Sequence, residues 1–373
     1  MNAAPRQRRT RNTTRKLTPA VLVVVLLLVL FSACEESSVP TGIQEYEHAL
    51  NGYFVLEIVG IEVHDLGSTS DGYVFVGGEV FDSGEGWVGR FGPDGKYLMS
   101  WEFPAVVTGV IPVSLSEVLV ITEDGQATMM RGGNKVWSVE TTADRGLIRD
   151  DGTFILASYE STDQSVHLMA VSQDSTVLWQ VTEPAERSMF AITTDAANRV
   201  VLAVYKDEIE IGPVLTLQFY DQAGHNNESI ILFAPEFVGD EISMAATRID
   251  TYVIVGTVID QEDNQMAIIE FLPNGGEEWS HLHVHTTSSQ GKAIAVTEDG
   301  SLVALGINDI DGDWNSHVVQ LQFDLGRELL DERSYGSTIS DNDFHEMILM
   351  DDGRMQLLGE TGTGKFYIER DDL

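Results

Sequence analysis

A chain of 373 residues with 43% hydrophobic content is long enough for one large core or two modest ones, and too apolar to be disordered throughout. It carries 59 Asp and Glu against 22 Lys and Arg, a formal charge of −37. A field of that sign repels phosphate backbones and argues against nucleic-acid binding, and the even spread of acids beyond the first 34 residues reads as a solvated surface.

The first element is a leader. Arg6, Arg8, Arg9, Arg11, Arg15 and Lys16 precede the apolar run Ala20–Phe31, and no acid does. That run is about a dozen residues, short of the ~20 a spanning helix needs. Residues 1–33 therefore read as a secretory signal peptide with basic, apolar and small-residue parts. The segment Leu30-Phe31-Ser32-Ala33-Cys34 resembles the lipobox of bacterial lipoproteins, although Phe31 departs from the aliphatic residue that family prefers. The resemblance implies that Cys34 is lipidated and holds the chain on a membrane of the bacterial cell envelope, facing the periplasm or the cell surface. The other reading is an uncleaved anchor with an incidental cysteine. Cys34 is the only cysteine, so disulfides, thiolate metal ligands and a thiol nucleophile are excluded from the remainder. Residues 34–49, with Glu35-Glu36-Ser37-Ser38, read as a polar tether.

Residues 50–373 read as one repetitive β domain. Its unit is an apolar strand, a turn often built from Asp-Gly, a second strand, a variable loop, a third strand, another turn, and a fourth strand often bearing Trp. The clearest copy runs from Ala293 through Asp299-Gly300 to Gly306, then His317–Asp324, Leu325-Gly326 and Glu328–Glu332. Equivalent first turns are Asp71-Gly72, Leu115-Ser116, Asp151-Gly152, Ala197-Asn198, Asp250-Thr251 and Asp352-Gly353. Second turns fall at Asp94-Gly95, Gly132-Gly133, Asp174-Ser175, Ala223-Gly224 and Asn274-Gly275. Such pairs tolerate the positive φ of tight hairpins. Trp101, Trp137, Trp179 and Trp279 follow them, and a large aromatic at one repeated position is expected to pack between neighbouring sheets.

Seven anchors imply an all-β, seven-bladed β-propeller, with six blades as the alternative because the 105–139 copy is short. The last repeat offers three strands, and the lone early strand Gly52–Val59 is expected to pair with it and close the ring. The rhythm of Asp-Gly turns and Trp-bearing strands resembles bacterial extracellular β-propeller lipoproteins, and is distantly similar to quinoprotein-like propellers. The resemblance covers roughly residues 50–373 and implies fold, not activity.

Three segments invite a chemical reading. Asp309, Asp311 and Asp313 alternate as calcium-loop oxygen ligands do, but the glycine comes fourth and Gln320 stands where an EF-hand glutamate would close the site; an ordinary acidic loop is the alternative. His281, His283 and His285 lie on one strand face and could bind zinc, or could pack between blades, since Trp279 shares their parity. The run Gly359-Glu-Thr-Gly-Thr-Gly364-Lys365 mimics a nucleotide-binding P-loop, but Phe366 replaces the Ser or Thr that would hold magnesium and no helix can follow; a hairpin is expected and no nucleotide.

With no convergent catalytic motif, the leading expectation is a membrane-anchored envelope propeller that binds or scaffolds protein or glycan. The alternative is an extracellular enzyme, glycan-active or quinone-dependent, with catalytic residues supplied by central-funnel loops.

Overall fold

The computed structural model describes residues 43–46, 55–58 and 61–372, less 70, 81–82, 94–95, 209–211, 233–234, 261–262, 285–287, 298, 310–315, 336–341, 350–353 and 362–364. For 43–58, 207–213, 240, 309, 316–318 and 334–372 it describes the backbone alone. The described residues belong to the unit Gly42–Leu373 and contain no helix. Cys34 and the apolar run before it lie outside them.

Two short strands come first, β1 (Ile43–Tyr46) and β2 (Val55–Ile58). Sheet 1 is β3 (Ile61–Ser68), β4 (Val74–Val80), β5 (Gly86–Phe91) and β6 (Tyr97–Phe103). Sheet 2 is β7 (Val107–Ser114), β8 (Glu117–Thr122), β9 (Gln126–Arg131) and β10 (Asn134–Glu140). Sheet 3 is β11 (Arg145–Ile148), β12 (Phe154–Glu160), β13 (Ser165–Val171) and β14 (Val177–Pro184). Sheet 4 is β15 (Phe190–Thr194), β16 (Val200–Glu208), β17 (Gly212–Tyr220) and β18 (Asn226–Ile231). Sheet 5 is β19 (Phe237–Ala246), β20 (Tyr252–Asp260), β21 (Asp263–Phe271) and β22 (Glu277–His283). Sheet 6 is β23 (Ser288–Val296), β24 (Leu302–Asp309), β25 (Ser316–Phe323) and β26 (Leu329–Tyr335). The chain ends with β27 (Asn342–Leu349), β28 (Arg354–Thr361) and β29 (Lys365–Asp372).

Six sheets are four-stranded antiparallel meanders, and the remaining one has the order β1-β2-β29-β28-β27. The early strand expected to join the last repeat does so: β2 pairs with β29, Ile58 opposite Phe366. Ile43–Tyr46, inside the stretch read from sequence as tether, adds a fifth strand through pairing with Val55–Ile58. The first strands of successive sheets touch one another in order, and β27 returns to β3.

Burial explains why the second and third strands are near-continuous apolar runs. Strands β4, β8 and β12 are covered on both faces by neighbouring sheets, so both of their faces must be apolar. The fourth strands face solvent, as the mostly exposed β10 and β18 do. The core is therefore a series of inter-sheet clusters. One joins Phe75 and Val88 to Val107, Val118 and Val120; another joins Leu119 and Met129 to Phe154 and Met169. A third joins Ile155 and Leu168 to Phe190 and Tyr220, and a fourth joins Phe219 and Leu217 to Phe237 and Tyr252. A fifth joins Val255 and Ile268 to Leu302 and Phe323. Each fully buried side chain of this size contributes about 1.5–3 kcal/mol, so the stability of each sheet resides largely in its neighbours.

The repeated tryptophans pack at these boundaries. Trp137 Nε1 donates to Gln173 O at 2.8 Å and Trp179 Nε1 to Gln222 O at 3.1 Å, each acceptor lying in the second turn of the following sheet. Trp279 meets Phe323 of sheet 6 edge to face, 5.1 Å between centroids. A β-bulge recurs where the third strand meets the fourth in all six four-stranded sheets, with the extra residue on the fourth strand at Leu98, Val136, Leu178, Asn227, Glu278 and Leu330. Bulges increase local twist, which turns each outer strand across its neighbour.

Candidate functional site

The first strands of sheets 1–6 enclose a cavity of about 520 Å³, lined by polar as well as apolar groups. Its charged members are His64, Asp65, Asp144, Arg145, Glu241 and Lys292. Three of the lining residues, His64, Thr108 and Lys292, are the extra residues of bulges in β3, β7 and β23. A regular strand would send alternate side chains into the sheet interfaces; a bulge re-aims one of them, here toward the cavity.

The charges compensate one another locally. Lys292 Nζ lies 3.0 Å from Glu241 Oε2, and Arg145 Nε 3.4 Å from Asp144 Oδ1. The Arg145 guanidinium also sits 4.6 Å from the centre of the Phe190 ring. Asp65 Oδ2 accepts the backbone N–H of Val110 at 2.5 Å, linking the first strands of sheets 1 and 2. Burial pushes the Asp65 carboxyl up to about 7, against the opposing pull of the Val110 and Leu66 amides and of Arg145. With Asp65, Asp144 and Glu241 set against Arg145 and Lys292, the cavity is closer to charge balance than the whole chain.

Beside it, Glu62 on β3 stands directly opposite Glu79 on β4, and His64 follows Glu62 at alternate spacing. One ligand atom from each of Glu62, His64 and Glu79 lies within 4.8 Å of the others. It is the one such cluster of three among the described residues. No sequence motif marks this trio. The visible signal was Glu62-x-His64 on a strand; the cross-strand partner depends on a bulge that no residue pattern announces.

The histidines of β22 take the packing position between sheets that their shared parity with Trp279 allows. His281 stacks on Trp279 with centroids 6.2 Å apart and meets Phe323 edge to face at 5.0 Å, inside the boundary between sheets 5 and 6. Its pKa is lowered, by burial first and by His283 second. His283 is buried, its Nε2 3.2 Å from Asn308 Nδ2. His285 lies outside the described residues. Asp309 ends β24, opposite Ser316 in the backbone pairing, while Asp311 and Asp313 lie outside the described residues. The Gly359–Lys365 segment runs from β28 into β29, with Thr361 paired to Lys365, a strand-to-strand hairpin.

One rim carries a second feature. Ile249, 72% exposed, lies in the β19–β20 turn, and Leu325, 66% exposed, in the β25–β26 turn. Thr251, Glu270 and Arg327 link these turns: Thr251 Oγ1 donates to Glu270 Oε1 at 2.5 Å, and Arg327 donates to both Glu270 oxygens.

Solved structures share this architecture. The WD40 β-propeller domain of Doa1 aligns with TM-score 0.53 at 11% identity, covering 86% of this chain and 97% of that one. The Neurospora crassa Pan2 WD40 domain aligns with TM-score 0.56 at 11% identity, covering 83% and 88%. Kuenenia stuttgartiensis hydrazine synthase aligns with TM-score 0.59 at 10% identity, covering 83% and 95%. At such identities the likeness is one of fold: the chain is an all-β protein of β-propeller architecture. No protein-family model matches the sequence, and no curated protein matches it significantly.

Proposed function

We propose that the chain is a seven-bladed propeller serving as a protein-binding scaffold, held on the bacterial cell envelope by lipid on Cys34. The observation that carries the scaffold reading is the pair of exposed apolar turns at Ile249 and Leu325, which the Thr251–Glu270–Arg327 network braces from beneath. Exposed apolar side chains on braced turns lose little entropy on binding, which is the usual advantage of a preorganised surface. The WD40 likeness supports the same reading. Counting the β1-β2-β29-β28-β27 sheet as a blade gives seven, with β2 as the strand that closes the ring. The test is crosslinking on intact envelopes with the full chain and with Ile249→Asp combined with Leu325→Asp. The scaffold reading expects discrete crosslinked partners that the double variant loses while its thermal midpoint is kept; an unchanged crosslinking pattern would rule this rim out.

The enzyme reading is favoured by a different observation, the size of the cavity and its lining by His64, Asp65 and Arg145. On that reading a small polar glycan or redox substrate enters the cavity mouth, and isothermal titration with candidate sugars or quinones would register binding that Arg145→Ala abolishes.

A further inference from the structure

The trio on sheet 1 carries a second binding property. Two carboxylates directly opposite each other across an antiparallel pair repel, and Glu62 and Glu79 occupy such positions. Both are half-buried, which weakens the solvent screening that would excuse the pair. Among the described residues neither has a Lys or Arg partner in a salt bridge. No Lys or Arg among the described residues offsets these facing charges, and a bound cation would offset them.

The bulge at His64 supplies the third donor. Val63 pairs with Gly78 and Asp65 with Gly77, so His64 is the unpaired extra residue, and its imidazole comes within 4.8 Å of both carboxylates. We propose that Glu62, His64 and Glu79 bind a divalent first-row transition-metal ion at the wall of the central cavity. The donor set decides the class of ion. One imidazole and two carboxylates suit zinc or manganese-like ions, whereas calcium and magnesium take oxygen donors alone. Because His64 is exposed and lines the cavity, the remaining coordination positions face solvent there, open to water or to an anionic group of a ligand.

The experiment uses the full chain in mild detergent, stripped of metal, with zinc titrated against a chromophoric chelator in excess calcium and magnesium. The expected result is one competitive zinc site whose affinity falls by about tenfold or more in His64→Ala and in Glu79→Gln. His225→Ala, at an exposed histidine elsewhere, is expected to bind zinc as the unaltered chain does. A chain that takes up no zinc under these conditions, or a His64→Ala variant that binds unchanged, overturns the proposal. Thermal melts guard against misfolding as an explanation. Without metal, Glu62→Gln should melt no lower than the unaltered chain, since it removes a repulsion, and it should lose the rise in midpoint that zinc gives. An equal zinc-induced rise in both proteins would also overturn it.

Discussion

Arg327 grips Glu270 across a sheet boundary, Nε to Oε2 at 2.5 Å and Nη2 to Oε1 at 2.9 Å. Glu270 belongs to β21 of sheet 5 and Arg327 to the β25–β26 turn of sheet 6, and both side chains are nearly inaccessible. Arg327 Nη1 also reaches Gly300 O at 2.9 Å, so one guanidinium ties two turns and a neighbouring sheet. Removing either partner leaves a buried charge uncompensated. Glu270→Leu or Arg327→Met alone should therefore cost about 3–5 kcal/mol in urea unfolding, and the double variant far less. A single-variant cost near zero would show that the pair is incidental.

The same pair sets a pH dependence. Burial alone would raise the Glu270 carboxyl, but Arg327 and the Thr251 hydroxyl overcome it and hold the group below its usual value. The folded-state value lies under the unfolded one, so this contribution to stability is present above the unfolded value of 4.5 and is lost as pH falls through the folded one. Glu270→Gln removes the titration. The stability gap between the unaltered chain and this variant should accordingly narrow as unfolding is measured at pH values descending below 4.5. A gap that stays constant, or widens in acid, contradicts the assignment.

Turn chemistry made the repeat readable. Gly72, Gly152 and Gly300 take φ of 86°, 80° and 88° in first turns, where a left-handed residue is required. Asn198 and Asp250 fill the same role at 59° and 60°, which is why the weaker anchors at Ala197-Asn198 and Asp250-Thr251 still marked true turns. The functional groups were hidden because register decides them. Continuing the pairing of Ser68 with Val74 along β3 without interruption would set Glu62 opposite Val80; the extra residue at His64 moves it to Glu79. Alternation in the sequence reports which face a strand residue takes, and a one-residue slip reassigns both face and partner. The histidines of β22 show the converse: their shared parity was legible, but the aromatic neighbours Trp279 and Phe323 that occupy that face come from two sheets.

Trp179 and Gly224 depend on each other. Gly224 has φ of 78°, and a Cβ placed there would come 2.6 Å from the Trp179 ring. Gly224→Ala should cost more than the ~1 kcal/mol of the left-handed backbone alone, because the indole has to move and its bond to Gln222 O breaks. Trp179→Ala should cost about 3–5 kcal/mol. In a double-mutant cycle the Gly224→Ala penalty should shrink in the Trp179→Ala background, giving a coupling on the order of 1 kcal/mol. Strict additivity would mean that the turn and the tryptophan are energetically separate.

The anchor reading rests on Cys34, and the charge of the chain sharpens its test. The chain has 59 acids against 22 basic residues, and Arg6, Arg8, Arg9, Arg11, Arg15 and Lys16 of the latter lie in the leader, so the domain is repelled by anionic lipid and has no electrostatic hold of its own on a membrane. Release should then be all-or-none in the lipid. The full chain expressed in a bacterium with labelled fatty acid should carry the label and sediment with membranes. Cys34→Ser should carry none, and should either appear in the soluble fraction or remain as an unprocessed precursor held by Ala20–Phe31. The two outcomes differ in mass, since only the first loses the basic leader. Label that persists on Cys34→Ser would show attachment elsewhere, and an unlabelled but membrane-bound natural chain would favour the uncleaved anchor over the lipid.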